Sequence, residues 1–136
     1  MKELTKEEMF TNELLNELKS KIKLNWDIFD DTDLNYFLKE KNVLSNIENI
    51  YEYIDEMVGY IYSTYEFIYY DDSLEYLSNN DSSLIDTLYY LKTYDYRLES
   101  LNSIVDLANV HLECKIREIM EEFIEKYKER KNGDKI

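Results

Sequence analysis

The residues with the most chemical potential are few. Asp31, Asp33 and Asn35 match the opening of a calcium-binding EF-hand loop. That loop needs glycine at its sixth position and a bidentate glutamate at its twelfth, but the chain has Tyr36 and Asn42 there. The cluster therefore reads as a helix N-terminus, where acids are favoured by the helix dipole. His111 is the sole histidine. A catalytic triad needs a nucleophile and an orienting acid beside it, and a ferritin-like iron site needs paired Glu-x-x-His motifs. Neither is present, and His111 reads as a half-buried structural residue. Cys114, the sole cysteine, has Lys115 and Arg117 near it, which would favour the thiolate, but cysteine is also a common core residue. One cysteine excludes an internal disulfide and any multi-cysteine metal site. Two isolated glycines build no phosphate loop. Among 30 acids, a pair such as Glu121 and Glu125 arises by chance and implies no acid–base catalysis. The expectation is a protein that is not an enzyme and has no cofactor or metal site.

The elements that position these residues read as helices. The chain is 136 residues long, which suits one domain, and its 44% hydrophobic content is enough for a core. With no proline and two glycines there are few breaks, and apolar residues recur at helical spacing. Thr5 with Glu8 forms a capping box, and Phe10, Leu14, Leu18 and Ile22 make one stripe, predicting a helix over residues 5–23. An irregular stretch follows over residues 24–31. Asp31 or Thr32 can cap a short helix through Leu34, Phe37 and Leu38, ending near Asn42. Ser45 with Glu48 repeats the capping box, and Ile47, Ile50, Ile54, Val58, Ile61, Tyr65 and Ile68 share a face. This predicts a long third helix over residues 45–70, with Gly59 marking a close crossing or a bend. Asp71, Asp72 and Ser73 would stop it, and a short helical turn follows around Leu74 and Leu77.

After the break at residues 79–82, Leu84, Leu91, Leu98, Val105, Leu112 and Ile119 repeat every seven residues, with Tyr94, Leu101 and Ala108 at a second apolar position. The segment is expected to form two helices bent near residues 94–96 and to invite self-association, giving a possible homodimer. The fold class is all-α: a small bundle of four to five helices with a long third helix and a long C-terminal helical segment. Residues 1–131 form one domain, and the tail over 132–136 frays.

Charge supplies the functional lead. The net charge is −14, from 30 acids and 16 bases. Such a chain is unsuited to phosphate contacts or to an anionic membrane, so neither direct nucleic-acid binding nor a membrane role is expected. No run reaches the length of a membrane span, and the first residues lack an apolar signal core, so the expected compartment is the cytoplasm. The excess is local. Residues 1–24 hold five acids and five bases, and residues 114–136 hold six acids and seven bases. Residues 45–113 hold fourteen acids against two bases. Residues 42–91 have no lysine or arginine, where average usage would place about six, and carry ten of the fourteen tyrosines. AT-rich codon usage explains the abundance of tyrosine, asparagine and isoleucine and the single alanine. It does not explain the missing lysines, which such codons favour.

On a helical wheel, Glu48, Glu52, Asp55, Tyr62, Glu66 and Tyr69 fall opposite the isoleucine stripe, with no lysine in the segment to relieve them. Unrelieved carboxylates cost stability and steer cationic partners, while tyrosine packs on guanidinium groups. A solvated acidic face that only keeps the protein soluble is the plainer reading. The sharper reading is a surface for a basic protein, such as a nucleic-acid-binding enzyme. Its candidate residues are Glu48, Glu52, Asp55, Tyr62, Glu66, Tyr69, Tyr70, Asp71, Asp72, Glu75 and Tyr76.

In size, charge and helix content the chain resembles the small acidic proteins by which phages and mobile elements block basic host machinery. Anti-CRISPR and anti-restriction inhibitors that act by nucleic-acid mimicry are of this type. It is also similar in size and charge to immunity proteins that neutralise a toxin. This likeness implies a phage or mobile-element inhibitor, with an immunity protein or a self-associating adaptor as alternatives.

Overall fold

The structure is a computed structural model that describes residues 3–83 and 100–133. Among these residues it is all-helical, with five α-helices and no strand. Helix α1 spans Lys6–Lys21 and opens on the expected capping box, with Thr5 Oγ1 accepting from the Glu8 amide and the Glu8 carboxylate accepting from the Thr5 amide. A 3-10 turn, Trp26–Ile28, leads to α2, Thr32–Glu40. The acidic cluster before α2 is a helix start: Asp30 accepts from the Thr32 amide and hydroxyl, which hold its carboxyl below the usual range.

The long third helix divides. Residues Val43–Tyr53 coil as 3-10 helix, α3 covers Ile54–Tyr65, and α4 covers Tyr70–Asn80. The capping box at Ser45 does not form, since Ser45 Oγ accepts from Lys6 Nζ at 2.8 Å instead. Asn42 enters with φ of 53° and Asn46 departs from helical geometry, in a segment whose asparagines and β-branched residues hold an α-helix weakly. The far end stops because Asn109 offers the Phe67 backbone a better partner than the next helical turn: its Oδ1 accepts from the Phe67 amide at 2.7 Å, and its Nδ2 donates to the Phe67 carbonyl at 3.0 Å. Asp71, Asp72 and Ser73 accordingly begin a helix rather than end one. Ile68 leaves the core stripe and stands 74% exposed.

The last helix described, α5, spans Ser100–Gly133, about 50 Å of rod. It extends through Gly133, and residues 134–136 of the tail expected to fray lie outside the described residues. It packs most extensively on α4 and α3 and also on α1, while α2 closes against α1 and α3. Leu112, Ile116, Ile119, Met120 and Ile124 are buried on α5, joined by Phe10, Leu14 and Leu18 from α1 and Met57 and Ile61 from α3. Leu112, Ile119 and Ala108 thus spend their heptad positions on the chain's own core and are not free for a second copy. Leu84, Leu91, Tyr94 and Leu98, the expected bend near residues 94–96 and the side chain of Leu101 lie outside the described residues.

Gly59 has neither a close crossing nor a bend beside it: it is exposed on α3, and a Cβ there meets nothing within 4 Å. Gly59→Ala should therefore raise stability by about 1 kcal/mol, read as a higher thermal midpoint.

A candidate acidic docking surface

The candidate residues separate into two groups. The first sits on the 3-10 segment and the start of α3, facing the C-terminal half of α5. Arg117 Nη1 lies 2.5 Å from Asp55 Oδ1, and Lys128 Nζ lies 3.6 Å from Glu48 Oε2. Lys128 also lies 4.9 Å from the Tyr51 ring centre, and the Tyr51 hydroxyl donates to the Glu125 carboxylate. The expectation of unrelieved charge is corrected here, because bases some 60 to 80 residues away in sequence supply the relief. Glu52 is exposed and has no such partner among the described residues. Glu48, Glu52 and Asp55 do not form a ridge on one α-helix, since the first two lie in the 3-10 stretch.

The second group stands at the corner between α3 and α4. Glu66, Asp71, Asp72 and Glu75 are exposed, and none meets a lysine or arginine within ion-pair distance among the described residues. Asp71 and Asp72 occupy the first turn of α4, where the helix dipole favours them; Glu66 and Glu75 have no such benefit. Tyr69 is 69% exposed, and Tyr70 is partly buried. Tyr62 is half-buried between α3 and α5. Burial raises its pKa, and the carboxylates of Glu66, Glu113 and Asp106 raise it further. The acidic field therefore extends onto α5 through Asp106 and Glu113, which the charge map of the middle segment did not single out.

Tyr76 does not belong to the surface. It is 3% exposed, its ring lies 5.0 Å from that of Phe67, and its hydroxyl hydrogen-bonds His111 Nδ1 at 2.9 Å. His111 Nε2 is 3.5 Å from Asp81 Oδ2, so the histidine serves the structural role expected of it, pinning the end of α4 to α5. Cys114 is exposed, contrary to a core role.

The corner borders an open groove of about 630 Å³, walled by the loop after α1 on one side and by Phe67, Ile68 and Tyr69 on the other. Three hydrogen-bonded ties fix its walls. Asn80 Oδ1 accepts from the Lys23 amide at 2.7 Å while its Nδ2 donates to the Lys23 and Tyr76 carbonyls. Asn109 holds Phe67 through the paired bonds that end α3. The Tyr65 hydroxyl donates to the Asn25 carbonyl at 2.9 Å. Sequence reasoning reads Asn79 and Asn80 only as a break and does not single out Asn109. An asparagine on a helix, flanked by apolar positions, is the available signal.

Burial, with help from Asp27, pushes the Tyr65 phenol up to about 12, and burial beside Asp81 raises that of Tyr76 further. Both phenols stay neutral in the fold after they would ionise in the unfolded chain. Their stabilising contribution is complete below the unfolded value of 10.0 and is lost as pH rises through the folded values. Unfolding free energies from urea titrations should therefore fall between about pH 10 and 12, by at most about 1.4 kcal/mol per pH unit for each tyrosine. Tyr76→Phe should make that fall shallower.

Among the described residues no helix is long and apolar enough to cross a membrane, and no three His, Cys, Asp or Glu side chains are grouped to hold a metal ion. No family model, curated protein or solved structure matches the chain.

Proposed function

We propose that this chain is a non-catalytic acidic binding protein that blocks a basic, nucleic-acid-binding protein by occupying the site of its nucleic acid. The setting would be the cytoplasm of a bacterium, with the chain serving a phage or mobile element as an anti-defence inhibitor of the anti-CRISPR or anti-restriction type. The observation that carries the reading is the α3–α4 corner, where Glu66, Asp71, Asp72 and Glu75 remain unpaired among the described residues although α5 supplies bases to Glu48 and Asp55. A fold that neutralises one acidic patch and leaves its neighbour charged keeps a field able to steer a cationic partner. Asp71 and Glu75 are one helical turn apart on α4, roughly 5–6 Å, a charge spacing of the same order as that along a nucleic-acid strand. Tyr69 beside them offers a face for arginine.

Affinity capture from a low-GC bacterial lysate at low salt tests the proposal. A basic nucleic-acid-binding enzyme that elutes as salt rises is the expected result. Recovery of only the chain itself would favour a self-associating adaptor. An immunity protein is the second reading, favoured by the fixed walls of the groove, which suit a single cognate surface better than phosphate-like charge alone requires.

A further inference from the structure

The groove beside the acidic corner carries more information than the charge does. Ile28 is 58% exposed and Ile68 74%, and Tyr69 lies next to Ile68. These side chains are held in water by backbone that is itself tied down. Asn109 clamps the residue before Ile68, Tyr65 anchors Asn25 at the start of the Ile28 turn, and Asn80 anchors Lys23. A segment organised only for stability would fold Ile68 into the core stripe that its spacing predicts. Here polar ties hold it outward instead, at the rim of a groove whose charged lining among the described residues is three acids, Glu66, Asp72 and Glu75, against one base, Lys23.

Resting on the reading of the corner as a site for a basic protein, we infer that the groove takes a cationic amphipathic segment of that partner. Apolar side chains of the segment enter between Ile28 and Ile68, while its lysines or arginines meet Glu66, Asp72 and Glu75. The charge pattern selects this occupant. A second copy of the chain would bring the same acidic rim and the same excess of negative charge against it. A nucleic acid would be repelled, and pure nucleic-acid mimicry would need no exposed isoleucine. The groove therefore implies that the blocked protein presents apolar residues beside its basic channel, which gives the inhibitor a choice among basic proteins that charge alone does not provide.

Trp26 makes the inference measurable. It is the only tryptophan, and its ring lies 5.0 Å from that of Tyr65, which lines the groove. Two synthetic peptides of equal length and charge, one combining leucine and lysine at helical spacing and one with glycine or serine in place of leucine, can be titrated against the full chain. The expected result is at least roughly tenfold tighter binding of the leucine peptide, with a shift in Trp26 emission. The gain should be abolished in the Ile28→Asn, Ile68→Asn double variant, whose substituted positions are exposed. Equal affinity of the two peptides for the native chain would overturn the inference and leave the charge-based proposal standing. The same holds if the leucine peptide binds native and variant chains alike. Failure of both peptides to bind at low salt would overturn the inference together with the charge-based reading of this corner.

Discussion

Reversing Glu66, Asp71, Asp72 and Glu75 to lysine should leave the helices in place and weaken binding of the basic partner by at least roughly 100-fold. The fold tolerates the change because all four side chains are exposed and unpaired among the described residues, and α4 is held by the buried Tyr76 and Leu77 on its other face. Lysine in place of Asp71 and Asp72 sits at a helix N-terminus and costs about 0.5 kcal/mol each, which a bundle of this size withstands. Binding has no such reserve. Each reversal replaces an attraction with a repulsion, and a combined loss near 3 kcal/mol corresponds to about 100-fold. Glu48→Gln with Asp55→Asn is the informative contrast. Those carboxylates already face Lys128 and Arg117, so their neutralisation should change affinity only a few-fold. Calorimetric titration of the captured partner, with circular dichroism as the fold control, reads both effects.

Phe10→Ala should be severely destabilising, at about 4 kcal/mol. Phe10 is 1% exposed on α1, and its ring meets those of Phe123 and Tyr127 edge-on at 5.2 and 5.1 Å. The substitution removes a large apolar side chain, leaves a cavity between α1 and α5, and cancels two aromatic contacts. Against a total of about 5–15 kcal/mol this is a large fraction, and the thermal midpoint should drop by more than roughly 10 °C. Tyr69→Ala, on the exposed corner, should change stability by no more than about 0.5 kcal/mol.

These two variants separate what could be read from residue order from what could not. Helix α1 was legible because its cap and its stripe are both local: Thr5 with Glu8, then Phe10, Leu14, Leu18 and Ile22, all four of the stripe buried. The middle of the chain was not. The isoleucine stripe through Ile68 reads as one helix by spacing, yet the side chain that ends it, Asn109, lies 42 residues away from Phe67. The same distance effect altered the charge map. Lysine and arginine are absent from residues 42–91, but Arg117 and Lys128 fold back onto Asp55 and Glu48, so only part of the excess remains unpaired. Tyr76 could not be told from Tyr69 by type or by neighbours. Position on α4 decides it, with one ring packed on Phe67 and His111 and the other in solvent. Sequence thus located the acidic region, and tertiary contacts decided which part of it is available.

If the chain blocks its partner as proposed, the acidic corner and a nucleic acid compete for one surface of that partner. Size-exclusion chromatography of the captured partner, first saturated with the nucleic acid it binds and then mixed with this chain, is the decisive experiment. Mutual exclusion is expected: the chain displaces the nucleic acid, more of it is needed as the nucleic acid is increased, and the corner-reversed variant displaces none. A stable ternary complex of partner, nucleic acid and this chain would refute the proposal.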